Sequence, residues 1–429
     1  MSFLERLVNK VICKGDNIEF VDSGIEWVGP IPATWSIFPA CGVFCEVKEK
    51  NTNGEYNNPF SFRYGEIVNK NIAGEIDESV EETLSTYRVV VPDTIMINGL
   101  NLNYDFISQR VAIVRDKGII TSAYLAVQPD KNKVVPRFVL YLLKAYDYRQ
   151  VFHGLGSGIR KTLKYQDFKK IKIVAPSLAE QEAIVSYLDF QCEQIDCIIS
   201  DAKASIEEYK SWKASIIYET VTKGLDPNVE MKDSGVEWIG KMPTHWLLSR
   251  VKNETKNLDY LREPISAENR DNKLGLYDYY GASGVIDKID DYNVDDTVLL
   301  IGEDGANLRM RNLPLVYRAS GKFWVNNHAH ILKVNEQNNY SYMAYLLEAG
   351  DYTTYITGAA QPKLSQFNLM RFPIPIAPRP EQDAIEEYLN KKAEEIESLI
   401  EEKESLIADL EAYKKSLIFE VVTGKRRVV

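Results

Sequence analysis

The chain writes the same two stretches of sequence twice, in the same order. Residues 22–35 read DSGIEWVGPIPATW and residues 233–246 read DSGVEWIGKMPTHW, identical at 8 of 14 positions. Residues 180–222 and 381–423 align without a gap and are identical at 16 of 43 positions. An internal repeat outranks any local signal in deciding a fold, because one structural frame is being built twice. Between the repeats lie two segments, roughly 36–175 and 247–376, with little mutual identity. Only their ends keep step: Leu163, Ile173 and Gln181 stand 201 residues before Leu364, Ile374 and Gln382. A frame that is held while its inserts vary implies common architecture with different targets. At the N-terminus, Leu7-Val-Asn-Lys-Val11 with Lys14-Gly15 loosely echoes Glu219-Thr-Val-Thr-Lys-Gly224, which suggests a circular organisation with neighbouring termini.

The longer repeat predicts long paired helices. Residues 180–222 contain no Gly or Pro. Apolar side chains recur at seven-residue spacing through Leu188, Ile195, Ala202, Tyr209 and Ile216, with Ile184, Ile198 and Trp212 in a second row and Ile199 and Ile206 beside it. That is a heptad-like seam. The second copy offers Leu389, Ile396, Lys403, Leu410 and Leu417, flanked by Ile385, Leu399, Leu406 and Tyr413. Ser177-Leu-Ala-Glu180 reads as a capping box. Pro380 suits a first helical turn, and Gly224 and Gly424 read as stops. A one-sided stripe on a helix of about 65 Å needs a partner, and the other copy is the natural one. A pseudo-two-fold relation between the halves makes the pair antiparallel.

The variable segments read as mixed α/β domains. Short strand-like runs occur at Arg88–Met96, Val111–Val114, Ile119–Val127, Thr297–Gly302, Leu313–Arg318 and Ala329–Val334. A helix follows in each, at Val135–Tyr148 and Ser341–Leu347, and then a glycine-containing loop, Gly154-Leu-Gly-Ser-Gly158 or Gly358-Ala-Ala-Gln-Pro362. The expected fold class is α+β. Two mixed domains, 1–175 and 226–377, are separated by helices in 176–225 and 378–429 that pair as an antiparallel coiled coil.

This order resembles the specificity subunit of type I restriction-modification systems. The resemblance is carried by DSG-x-EW-x-G-x-x-P-x-x-W, twice, and by the EQ-x-A-I helix openings after Pro176 and Pro378. Tyr280-Gly-Ala-Ser-Gly-Val285, Asp304-Gly-Ala-Asn307 and Asn327-His-Ala-His330 are similar to one class of that family's target-recognition domain. The resemblance covers nearly the whole chain. It implies that each variable domain reads one half of an asymmetric, bipartite double-stranded DNA site. It further implies that the helices set the spacer and dock two methyltransferase subunits, joined by two restriction subunits. Catalysis then lies in the partners: S-adenosylmethionine serves the methyltransferase, ATP and Mg the restriction subunit, and this chain holds no cofactor.

The residues agree with a chain that has no chemistry of its own. There is no phosphate-cradling G-x-x-x-x-G-K-[ST], and Gly154, Gly156 and Gly158 lack the βαβ context of a dinucleotide site. His328 and His330 are two apart, but four histidines in all and no nearby Cys leave a metal shell short. Five cysteines, an odd number, fit free thiols in a reducing cytoplasm better than a disulfide framework. No apolar run approaches the ~18 residues of a membrane span. The competing reading is a coiled-coil adaptor with no DNA role.

Net charge is −11, which alone argues against a DNA-coating protein. The charge is uneven: segments 176–225 and 378–429 carry −5 and −4, while residues 1–175 are at +2. Phosphate contact needs local positive charge, and Arg160, Lys161 and Lys164 open a basic run after the first glycine loop. Arg reads guanine and Asn or Gln reads adenine in the major groove. On that chemistry the DNA-facing candidates of the first domain are Asn98, Asn101, Asn103, Tyr104, Gln109 and Arg110. Those of the second are Asn307, Arg309, Arg311, Asn326, Asn327, His328, Gln361 and Lys363.

Overall fold

A computed structural model describes residues 19–70, 78–107, 109–156, 158, 160–271 and 273–428. The N-terminal echo at residues 7–15 lies outside them. The chain forms two compact units, one from Met1–Ala202 with Ser405–Val429 and one from Lys203–Glu404. Four helices organise them: α1 (Pro136–Tyr148), α2 (Leu178–Lys223), α3 (Tyr340–Ala349) and α4 (Arg379–Val422). None of the helices is long and apolar enough to cross a membrane, among the described residues.

In the first unit a four-stranded antiparallel sheet runs in the order Phe44–Glu46, Leu125–Pro129, Ile95–Ile97, Val111–Ile113. Two runs expected as single strands, Arg88–Met96 and Ile119–Val127, each break in two. Asp93 breaks the first, in a left-handed turn at φ 70° that a continuous strand cannot contain. Helix α1 buries Phe138, Leu142, Leu143 and Tyr146 in the core under this sheet. In the second unit the sheet has six strands: Thr255–Asn257, Ala329–Val334, Val294–Gly302, Val316–Val325, Leu274–Gly281 and Gly284–Ile289. Its one parallel pairing joins Leu274–Gly281 to Val316–Val325. The expected strand at Leu313–Arg318 begins later, at Val316, and continues to Val325. The different sheets explain why the variable segments share so little sequence.

The repeated motifs are identical joints. Asp22 Oδ1 accepts from Gly24 N and Asp233 Oδ1 from Gly235 N, each at 2.9 Å, while Ser23 and Ser234 each accept from the residue two further on at 3.1 Å. The glycine takes φ of 61° or 70°, which explains why the turn needs it. The strand after each lead-in pairs with the strand before each long helix: Ser36–Pro39 with Lys172–Ala175, and Leu247–Arg250 with Pro373–Ile376.

The EQ pair then has two distinct tasks. Gln181 accepts from Val135 N at 2.7 Å and donates to the carbonyls of Lys133 and Pro176. Gln382 accepts from Asn339 N at 2.7 Å and donates to Asn338 Oδ1 and Ala377 O. Each glutamine thus ties the start of a domain helix, α1 or α3, to the start of a long helix. The capping box is only half formed: Glu180 N donates to Ser177 Oγ at 3.3 Å, but the Glu180 carboxylate accepts from the Trp35 indole at 3.2 Å. Glu381 does the same for Trp246 at 2.9 Å. The glutamate is recruited by a tertiary donor, because Trp35 and Trp246 are both buried and their N–H groups need a partner.

Helices α2 and α4 run antiparallel. In the first unit Asp196 pairs with Lys414 at 2.6 Å, and in the second Lys213 pairs with Glu397 at 2.5 Å. A step forward along α2 is thus a step back along α4. In the first unit Ile184, Leu188, Ile195 and Ile199 share a core with Leu410 and Leu417, with Leu406 and Tyr413 partly buried against it. In the second, Ile385 and Leu389 enter the core, Ile206 and Ile396 are buried, and Tyr209 and Leu399 are half-buried. Trp212 departs from expectation and is 48% exposed. It lies in the second row, while the first row stays packed as far as Ile216, which lies against the second unit's core.

Each long helix ends against a lead-in. Gly224 and Gly424 take φ of 79° and 73°. Gly224 abuts Trp246 and Pro243, and Gly424 abuts Trp35 and Pro32. Lys425 Nζ donates to the Val28 carbonyl, so the end of α4 lies against the first lead-in as the end of α2 lies against the second.

Candidate nucleic-acid interface

Each unit gathers its candidate residues into one loop cluster, and both clusters are built the same way. In the first, the loop after strand Ile95–Ile97 meets the glycine loop after α1. Leu163 N donates to Gly99 O at 2.9 Å and Leu102 N to Lys161 O at 3.0 Å. In the second, the loop after Val294–Gly302 meets the loop after α3. Leu364 N donates to Glu303 O at 2.8 Å and Gly305 N to Pro362 O at 3.1 Å. Leu163 and Leu364, the in-register leucines, are thus the buried pins of these junctions. Neither composition nor periodicity signals this shared brace; only the spacing of the repeat does.

In the first cluster Asn101, Tyr104, Gln109, Arg160 and Lys164 are exposed, and Asn98, Asn103 and Lys161 half-exposed. Asn103 Oδ1 accepts from Lys161 N at 3.2 Å, and Asn98 Oδ1 from Leu100 N at 3.2 Å. Asn101 holds φ 53°, a left-handed conformation that asparagine tolerates. Arg110 is different. It is fully buried, and its guanidinium donates to the carbonyls of Asn98 and Leu100, each at 2.9 Å, and of Asp105. It therefore has no face for DNA and acts on the shape of the loop. Its backbone N–H donates to Asp147 at 2.8 Å. Burial pushes the Asp147 carboxyl up to about 6, against the pull of that hydrogen bond and of Arg110's charge.

In the second cluster several candidates are already engaged. Asn307 donates to the carbonyls of Leu313 and Pro314 and accepts from Leu313 N, so its amide shapes its own loop. Asn326 is buried and accepts from His328 N at 2.8 Å. Arg311 bonds the Glu348 carbonyl and lies 3.8 Å from its carboxylate. Arg309, exposed, donates to Gly358 O at 3.1 Å. Asn327 and Gln361 present exposed side chains. Lys363 pairs with Glu303 at 3.0 Å, and His328 Nδ1 lies 2.7 Å from Asp304.

Glu303, missed from sequence, is the hub of this cluster. It is buried between Arg262 and Lys363. Burial opposes its ionisation, but the two cations hold its carboxyl below the usual range. His328 and His330 do not converge. His330, fully buried, faces Asp259 Oδ2 at 2.7 Å through Nδ1 and Leu364 O at 2.8 Å through Nε2. It therefore pins Leu364, the same brace from below. No group of three or more His, Cys, Asp or Glu suited to a metal ion occurs among the described residues.

Two compact readers, each an α/β body presenting one loop cluster and each closed by the same helical joint, define a bipartite recognition protein. The sequence profile of the type I restriction modification DNA specificity domain matches residues 46–208 and again 256–407, and the chain belongs to that family. The chain is 24% identical over 374 residues to a Methanocaldococcus jannaschii protein named as the type I restriction enzyme MjaX specificity subunit, covering 83% of each chain. It is 24% identical over 341 residues to the type I restriction enzyme MjaVIII specificity subunit of the same organism, covering 73% of this chain and 75% of that one. In fold it is similar to a solved chain from work on complex assembly and conformational transition of the type I R-M system. That match has a TM-score of 0.69 at 13% identity over 91% of this chain and 98% of the other.

Proposed function

We propose that this chain is the sequence-reading subunit of a type I restriction-modification complex, with each loop cluster reading one half of an asymmetric DNA site. The carrying observation is the doubled brace. The same backbone joint at Leu163 and at Leu364 presents two unlike sets of side chains. That is what two different half-sites require of one frame. A plain coiled-coil adaptor has no use for it.

Catalysis is assigned to partners. The doubled frame offers each surface twice, which supports two copies of a methyltransferase subunit. On the strand after each lead-in, an apolar side chain is exposed at the same place, Ile37 in one unit and Leu248 in the other. Such repeated apolar exposure suits one kind of partner docking at both. Two restriction subunits then complete the assembly. S-adenosylmethionine would serve the methyltransferase subunits, ATP and Mg the restriction subunits. The free thiols of Cys41, Cys45, Cys192 and Cys197 suit a cytoplasmic complex. The reading is tested by affinity purification of the full chain from its own cells. Recovery of an adenine methyltransferase in about two-fold molar excess supports it. A chain that purifies without one refutes it.

A further inference from the structure

The first cluster ends in an apolar tip that no core uses. Tyr104, Phe106 and Ile107 are 69%, 55% and 96% exposed, on one short loop with only Asp105 among them. Scattered exposed apolar residues are ordinary, but three on one loop mark a contact surface. The tip is also braced from within its own unit. The Phe106 ring stacks on His153 with centroids 4.9 Å apart, and His153 Nε2 meets Asp105 O at 2.9 Å.

Beneath it sits Arg110. Three loop carbonyls, Asn98, Leu100 and Asp105, converge on its one buried guanidinium, and Asp105 Oδ2 lies 3.6 Å away. Its Nε finds no partner among the described residues. A buried cation with an unpaired N–H is a costly way to fill space, and an apolar side chain would serve stability at least as well. What an apolar residue cannot do is fix three carbonyls of an irregular loop at once. The surroundings say what the tip meets. Arg160 and Lys164 stand exposed in the adjoining loop, without an ion-pair partner among the described residues. Positive charge beside the tip suits phosphates, and apolar side chains suit base edges, above all the thymine methyl.

We propose that Tyr104, Phe106 and Ile107 form an apolar reading tip pressed against base edges in a groove of duplex DNA, and that Arg110 is the positioning residue that sets its shape. The inference rests on the DNA-reading function above and names how one domain performs it. The tip reads bases through shape and methyl contact rather than through hydrogen bonds. Arg110 touches no DNA.

The test uses the full chain co-expressed with its methyltransferase partner, with adenine methylation mapped across the host genome. A Tyr104→Ser/Ile107→Ser variant removes no buried group. It should relax one or more positions of a single half-site, raising methylation of formerly excluded sequences about tenfold or more, with the other half-site and the gap unchanged. Arg110→Met should relax the same positions and leave the rest of that half-site defined, whereas general destabilisation of the first unit would blur the whole half-site. A tip variant with both half-sites intact overturns the proposal, and it decides the matter even if Arg110→Met fails to fold. Arg110→Met blurring every position of that half-site alike, or leaving all of them unchanged, overturns the positioning role. Absence of chain-dependent methylation in the wild type would instead refute the functional reading itself.

Discussion

Gln382 bonds three groups at the start of two helices, and replacing it with leucine tests the joint. The side chain is 1% exposed. It accepts from Asn339 N at 2.7 Å and donates to Asn338 Oδ1 at 2.9 Å and Ala377 O at 2.8 Å. Leucine has nearly the same volume, so the cavity term is small and the loss is polar. Each buried donor or acceptor left alone costs about 1–3 kcal/mol. Three of them, partly relaxed, give about 3–6 kcal/mol. With a urea slope near the upper end of about 1–3 kcal/mol/M, the midpoint of the second unit should fall by more than about 1 M. Trp238, Trp246 and Trp324 lie in that unit and report its unfolding by fluorescence. Gln181→Leu should weaken the first unit in the same way, through Val135, Lys133 and Pro176. A midpoint shift below about 0.3 M in Gln382→Leu would refute the reasoning, because it would mean that water or side-chain motion replaces all three bonds.

Other outcomes follow from the same geometry. Gly424→Ala should destabilise the first unit by about 1–3 kcal/mol, since φ is 73° and a Cβ would lie 2.5 Å from Pro32 Cδ; differential scanning calorimetry reads the loss. Trp246→Phe removes a donor to the half-exposed Glu381 carboxylate and should cost about 1–2 kcal/mol, with a smaller effect at Trp35, where the bond is 3.2 Å. Asp147 carries a raised pKa of about 6 because it is buried. The folded state therefore holds a proton that the unfolded chain has released. Its contribution is fully present below pH ~4 and is lost as pH rises through about 6, by roughly 2–3 kcal/mol. Asp147→Asn should flatten that dependence and raise the urea midpoint at pH 7.5 but not at pH 4. Adding one helical turn, about 5.4 Å, should lengthen the gap in the methylated site by 1–2 base pairs and leave both half-sites unchanged; unchanged spacing with altered half-sites would sink the spacer role.

The frame was legible because it is written twice. Repeats at Trp35/Trp246 and Gln181/Gln382 located the joints, and the heptads at Leu188 and Leu389 gave the pairing. What spacing alone does not carry is the partner of each group. Glu180 reads as a local cap, yet tertiary packing puts the Trp35 indole beside it. Trp212 fits a seven-residue row by spacing, yet it is exposed while Ile216 of the neighbouring row is packed on the second core. The loop clusters were visible as polar composition, but composition does not separate a side chain that points outward from one that holds its own loop. Arg110, Asn307 and Asn326 all have base-reading chemistry and are turned inward. Glu303 carries no signal in the sequence, because its two partners stand 41 residues before it and 60 after it, while its role is to pin Arg262 and Lys363 in place.

The central claim is that one chain carries two different readers, and genome-wide methylation mapping tests it most directly. Cells with the methyltransferase partner alone are compared with cells that also carry this chain. The account predicts methylated adenines only in the second, within one asymmetric motif made of two defined half-sites around an undefined gap. Methylation that is the same without this chain, or a single contiguous motif in its presence, would contradict it.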